Sequence, residues 1–257
     1  VCTVLLRFDP SARWPVVLGA VRDEFVERSW DPPAAHWVDR GDGRWARFVG
    51  GLDHTAGGTW LAVDPSPDRP AVAAVLNGRP QDREKELDPG VVRPTRGELV
   101  LRVLAGDGVP AGAELAPYAR FHLLLATARS CELWSWDLGE LTHTVLRGPH
   151  HLIVNDGLDA GDDDPMVPHF APLLAAAAEP DPGRAGAGAW GGWTELLQGD
   201  GLPGDDPRAL LVTKEIEGHP YGSTSAALVA VSADGRVRYD FTPRPSDPAR
   251  WQTVVAT

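Results

Sequence analysis

No apolar run in this chain of 257 residues goes far before a breaker stops it, because 28 glycines and 24 prolines are spread along its length. A proline in a helix interior removes a hydrogen bond and costs about 3 kcal/mol, so this chain must be built from short elements. Many of the remaining runs are rich in Val and Leu and are bounded by turn residues, the pattern of β-strands. Residues 4–8 and 16–20 read as a hairpin across a Pro and Ser turn. Residues 59–63 and 71–76 read as a second pair around the Asp-Pro-Ser-Pro-Asp turn at 64–68. Residues 121–126, 132–137, 142–146 and 151–154 are spaced as a four-strand antiparallel meander. Residues 226–231 and 236–241 flank Ser232-Ala233-Asp234-Gly235, where Asp-Gly marks a closing hairpin.

Helical signals are few. Residues 95–104 carry Leu99, Val100, Val103 and Leu104 on one face, with Thr95 as the expected N-cap and Glu98 three residues on. Residues 172–178 read as a short helix with Pro172 in its first turn. Residues 31–45 read as an irregular surface segment, and the Gly, Ala and Pro-rich residues 179–192 as a mobile loop. The sum is an α+β chain in which antiparallel strands dominate. There is no repeat and no linker between two self-sufficient halves, so residues 1–257 read as a single domain.

Composition narrows the functions. A net charge of -12, from 24 Lys and Arg against 36 Asp and Glu, leaves no basic footprint for nucleic acid or an anionic membrane. Two cysteines support neither a disulfide framework nor a Cys-rich zinc site. No stretch reaches the roughly 18–20 apolar residues of a membrane span. The start, VCTVLLRFDP, lacks the basic region and cleavage site of a signal peptide and reads as a first strand. The expected compartment is the cytoplasm, with no cofactor, no metal and reduced cysteines. Val1 reads as an initiator from a non-ATG start whose removal would leave Cys2 at the N-terminus.

Five features carry potential chemistry. An N-terminal cysteine at position 2 joins a nucleophile and a base in one residue, because an α-amine of pKa near about 8 can take the thiol proton. Arg22-Asp23-Glu24 follows the second expected strand. There Asp23 can orient that amine, and Arg22 can hold Asp23 ionised or grip a substrate carboxylate. Gly50-Gly51-Leu52-Asp53 and Gly57-Gly58-Thr59-Trp60-Leu61 pair glycines at a strand entry, where the backbone can approach closely or take a positive φ. Asn77 and Asn155 each end an expected strand, where an amide or a backbone N–H can meet an oxyanion. Asp162-Asp163-Asp164 with His169 lacks the alternate spacing of a calcium loop and reads as a solvated acidic segment.

The set resembles the NRDE family, also called the transport and Golgi organisation 2-like family. The resemblance rests on Cys2, Phe8-Asp9-Pro10, Arg22-Asp23-Glu24-Phe25, Gly51-Leu52-Asp53 and residues 57–61. Weaker blocks follow at Asn77, Arg96-Gly97, residues 118–124, Asn155 and Tyr221-Gly222-Ser225. The chain departs from the family pattern at Val21, where Asn is usual, at His122 in the Gly-Phe-Asn block, at residues 157–165, and at Thr224, where Arg is usual.

The resemblance implies a four-layer αββα sandwich of two mainly antiparallel sheets, like the N-terminal nucleophile hydrolases that include penicillin V acylases and conjugated bile salt hydrolases. It implies that Cys2 is the nucleophile and base, that Asp23 orients its amine, and that Asn77 and Asn155 form the oxyanion hole. Arg22, Trp60 and Tyr221 are then expected to bind substrate. The expected activity is that of an amidohydrolase or acyltransferase on a small-molecule amide, ester or thioester, through a thioester on Cys2. The alternative is a non-catalytic carrier of haem, acyl-CoA or lipid, for which the ten tryptophans and eight histidines would line an apolar cleft. The bland reading of those tryptophans is core filling. The expected partner is a small acyl substrate, and a homo-oligomer is left open.

Overall fold

A computed structural model of the protein describes residues 3–79 and 93–257, so Cys2 lies outside the described residues. The expected first hairpin is present as β1 (Thr3–Phe8) and β2 (Val16–Phe25), antiparallel with Leu5 opposite Gly19. On one side of it lie β10 (His150–Val154) and β11 (Gly157–Leu158). On the other lie β13 (His219–Val231), β14 (Val237–Thr242) and β15 (Gln252–Ala256), with β12 (Thr213–Ile216) on β13. Among the described residues this sheet has eight strands, seven in the order β11-β10-β1-β2-β13-β14-β15 and β12 off that path on β13. The second sheet has seven, β3 (Trp30–Ala34), β4 (Val49–Asp53), β5 (Leu61–Asp64), β6 (Ala71–Asn77), β7 (Phe121–Thr127), β8 (Cys131–Trp136) and β9 (Leu141–Val145), in sequence order. The pairs in both sheets are antiparallel.

The period-2 alternation of each strand sorts its side chains into layers. Val4, Leu6 and Phe8 of β1 face Leu61, Val63, Val72 and Ala74 of the second sheet across one shared core. Leu5 and Val17 point the other way, onto α2 (Met166–Ala176) and α3 (Trp193–Leu196). Ala62, Ala73 and Val75 point outward from the second sheet onto Leu99, Val100 and Leu104 of α1 (Gly97–Ala105). The result is the expected αββα arrangement.

Six local expectations are corrected. Arg22, Asp23 and Glu24 do not follow the second strand but lie in it, because β13 runs alongside β2 from Tyr221 to Val231 and satisfies its backbone that far. The segment 31–45 is not wholly irregular. Its start is the edge strand β3, tolerant of Pro32 and Pro33 because an edge needs fewer ladder bonds, and Trp37 and Trp45 are buried. The last strand of the expected meander, β10, leaves the second sheet and pairs with β1.

Helix α2 begins at Met166, six residues before Pro172, which sits inside it. Asp164 accepts the Met166 N–H at 2.9 Å, and Met166, Val167, Phe170 and Leu174 are buried against the sheet. That burial, about 1.5–3 kcal/mol for each large side chain, offsets the proline. Residues 187–190 form a short 3-10 turn in the segment expected to be mobile. Buried Trp190 anchors that turn by donating its Nε1–H to Asp240 Oδ2 at 2.7 Å. Helix α1 starts two residues later than expected, with Thr95 Oγ1 accepting the Gly97 N–H at 3.2 Å.

Candidate functional site

The end of β2 is built around a bulge. Pairing with β13 slips at Thr224, which sets Ser223 opposite Asp23 and Ser225 opposite Arg22. Ser223 donates its hydroxyl to Asp23 Oδ1 at 2.5 Å and accepts the Val212 N–H at 2.8 Å. Thr224 Oγ1, in the position where the family has Arg, accepts from Arg22 Nη1 at 3.0 Å. The Arg22 guanidinium is 3% exposed, lies 4.5 Å over the Trp60 ring and donates to Asp53 Oδ2 at 3.2 Å. It is therefore engaged by Asp53 and Thr224. Burial lowers its pKa despite Glu24 and Asp53, yet guanidinium stays charged at any physiological pH.

Asp53 is the hub. Its Oδ1 accepts the N–H groups of Thr55 and Ala56, and its Oδ2 accepts from Arg22 and from Arg28 Nε at 2.7 Å. Burial pushes the Asp53 carboxyl up, but the Arg28 and Ala56 hydrogen bonds and the two guanidinium charges outweigh it and hold the carboxyl below its usual value. The paired glycines of the motif have steric causes. A Cβ on Gly51 would stand 2.2 Å from the Trp60 ring, and one on Gly58 would stand 2.6 Å from the Gly97 backbone carbon at the start of α1.

These residues wall a cleft of about 710 Å³ that takes in Arg22, Asp23, Trp60 and Asn77, with Arg28 and Arg93 beside them. Four of the residues expected at a site from sequence therefore meet in one place. Thr3, where the described chain begins, pairs with Val21, the residue before Arg22. Asn155 lies apart, in a neighbouring recess of about 340 Å³ that also takes in Gly78, next in the chain after Asn77. Its Oδ1 is buried without a partner among the described residues. Tyr221 pairs with Phe25 and meets its ring edge-on at 5.4 Å, and it is Phe25 that reaches the cleft.

Other candidates sort quickly. Cys131 is fully buried, and burial together with the Glu132 charge pushes its thiol up to about 12, so it is not nucleophilic at neutral pH. Among the described residues no cluster of His, Cys, Asp and Glu is arranged to hold a metal, and His169 pairs with Asp200. Seven of the tryptophans are buried in the three apolar layers. Sequence reasoning missed Ser223 and Arg28. Ser223 stands 200 residues from Asp23 and has no local signal. Arg28 had one, its i,i+4 spacing from Glu24.

The fold and site define an α+β, two-sheet protein with a charged cleft at the end of its first hairpin. The chain belongs to the transport and Golgi organisation 2 family, whose model matches residues 1–161. That span contains the hairpin, the glycine motif, Asn77 and Asn155. A search of curated proteins finds no match. No helix among the described residues is long and apolar enough to cross a membrane.

Proposed function

We propose that residues 1–257 act as one catalytic unit, an N-terminal-nucleophile amidohydrolase or acyltransferase for a small amide, ester or thioester. The observation that carries this reading is the convergence of Arg22, Asp23, Trp60 and Asn77 on one cleft, beside the strand that directly follows Cys2. In this reading the Cys2 thiol gives its proton to its own α-amine and attacks the acyl carbon. The ammonium then protonates the leaving amine, alkoxide or thiolate, and a thioester remains on Cys2. Water or a second amine releases the acyl group. Asp23, hydrogen-bonded by Ser223, stabilises the transient ammonium. Asn77, in the same cleft, donates to the oxyanion, a contact worth about 3 kcal/mol. Arg22 shapes the wall of the cleft, and Trp60 and Phe25 supply its apolar surface.

The test is intact mass after incubation with an acyl-N-acetylcysteamine thioester. An acyl adduct on Cys2 that is absent in Cys2→Ala is expected. An adduct that survives Cys2→Ala and vanishes in Cys131→Ala would make the nucleophile assignment wrong. Asp23→Asn is expected to slow adduct formation by about 100-fold or more with the fold intact, and an unchanged rate would remove Asp23 from the mechanism.

A further inference from the structure

The recess that holds Asn155 contains a second nucleophile and base that the reading above does not use. His122 on β7 and Ser135 on β8 are directly opposite in the strand register, and their side chains meet with His122 Nδ1 2.8 Å from Ser135 Oγ. The other ring nitrogen, Nε2, lies 3.2 Å from the Asn155 backbone carbonyl. A carbonyl oxygen only accepts, so Nε2 carries the proton. Nδ1 is then the lone-pair nitrogen and accepts the Ser135 hydroxyl proton. This is the tautomer a general base needs, fixed by a third group as in other nucleophile–His–orienter sets. Gly157, at φ +121, backs the ring, where a Cβ would stand in ordinary contact 3.7 Å from His122 Cε1. Burial, more than the neighbouring Arg120 charge, lowers the His122 pKa against the pull of the Asn155 hydrogen bond, so the ring stays neutral at pH 7.

The charge in the recess is nearly balanced. Arg79 pairs with Asp156, and the Asp137 carboxylate accepts the N–H groups of Gly139 and Glu140. Arg120 adds a cation and Asp163 an anion. A volume of about 340 Å³ admits only a small ligand.

We infer that Ser135 and His122 form a second acyl-transfer centre, acting on small neutral carboxylic esters. Ser135 Oγ attacks the ester carbonyl carbon as its proton passes to His122 Nδ1. The tetrahedral adduct collapses, the carbon–alkoxide bond breaks, and the departing alkoxide takes that proton from Nδ1. Water then attacks the acyl-serine, again through Nδ1, returning the hydroxyl to Ser135 and releasing the carboxylic acid.

The experiment treats the full-length protein with an ethyl fluorophosphonate probe and maps the adduct by peptide mass. Phosphonylation of Ser135 with loss of fluoride is expected, slowed about 100-fold or more in His122→Gln and absent in Ser135→Ala. An unlabelled Ser135 in the wild-type protein overturns the inference without recourse to any variant, and so does equal labelling in folded His122→Gln. A thioester probe reads Cys2 and a phosphonate mapped to Ser135 reads this pair, so each centre can fail alone.

Discussion

One carboxylate holds most of the cleft wall. Asp53 accepts from two backbone N–H groups and two guanidinium groups, and one of these, Arg22, is almost wholly buried. Removing one partner of a buried ion pair costs about 3–5 kcal/mol, because the charge left behind has neither water nor a counterion. Asp53→Ala is therefore expected to lower unfolding free energy by about that amount, as read from the midpoint of urea denaturation. A loss below about 1 kcal/mol would mean that Glu24, whose Oε2 lies 3.7 Å from Arg22, takes over as counterion. In the sequence Asp53 is visible only as the last residue of the Gly50-Gly51-Leu52-Asp53 motif. Its four simultaneous bonds required strands brought together from residues 22–28 and 53–56.

At the scale of elements, the glycine motif is a contact between the loop before β5 and the first turn of α1. Gly58 and Gly97 pack backbone to backbone, and Thr59 donates its N–H to the Gly97 carbonyl at 3.2 Å. Gly58→Ala would drive a methyl into that backbone, which has no flexible end to give way. The expected cost is about 1–3 kcal/mol, with the lower melting temperature measured by calorimetry. Gly108→Ala, with open space around its Cβ but φ +72, is the control for backbone strain alone. The hairpins were legible because turn chemistry and alternation are local. Helix α2 was misplaced because the rule for proline at a helix start is also local, whereas the docking of Met166 and Phe170 on the sheet is not.

Over the whole molecule, acid stability has a defined direction. Asp53 titrates below 3.8 in the folded state, so it contributes stability that is complete above 3.8. That contribution is lost as pH falls through the lower folded value, because the unfolded state binds the proton more readily. The gap in melting temperature between wild type and Asp53→Asn should be widest near neutral pH and close as the pH drops below 3.8. A gap that stays constant with pH would show that the charge of Asp53 contributes nothing. The two sheets also meet at their far end, where Gly235, at φ +93, leaves only 2.7 Å between a would-be Cβ and the Pro67 carbonyl oxygen. Both turns were expected from their Asp-Gly and Pro-Ser-Pro chemistry, but their meeting was not.

Alternation of apolar and polar side chains, and the residues able to turn, dictated from the sequence alone that this chain makes short antiparallel strands joined in hairpins. The grouping of Arg22, Asp23 and the paired glycines marked where a cleft would lie. Only the tertiary structure decided that β10 joins β1, that Ser223 faces Asp23, and that His122 and Ser135 stand beside Asn155. A strand's inner face is written in its own residues. Its partner is selected by the packing of the whole chain, across separations that leave no periodic trace in the sequence.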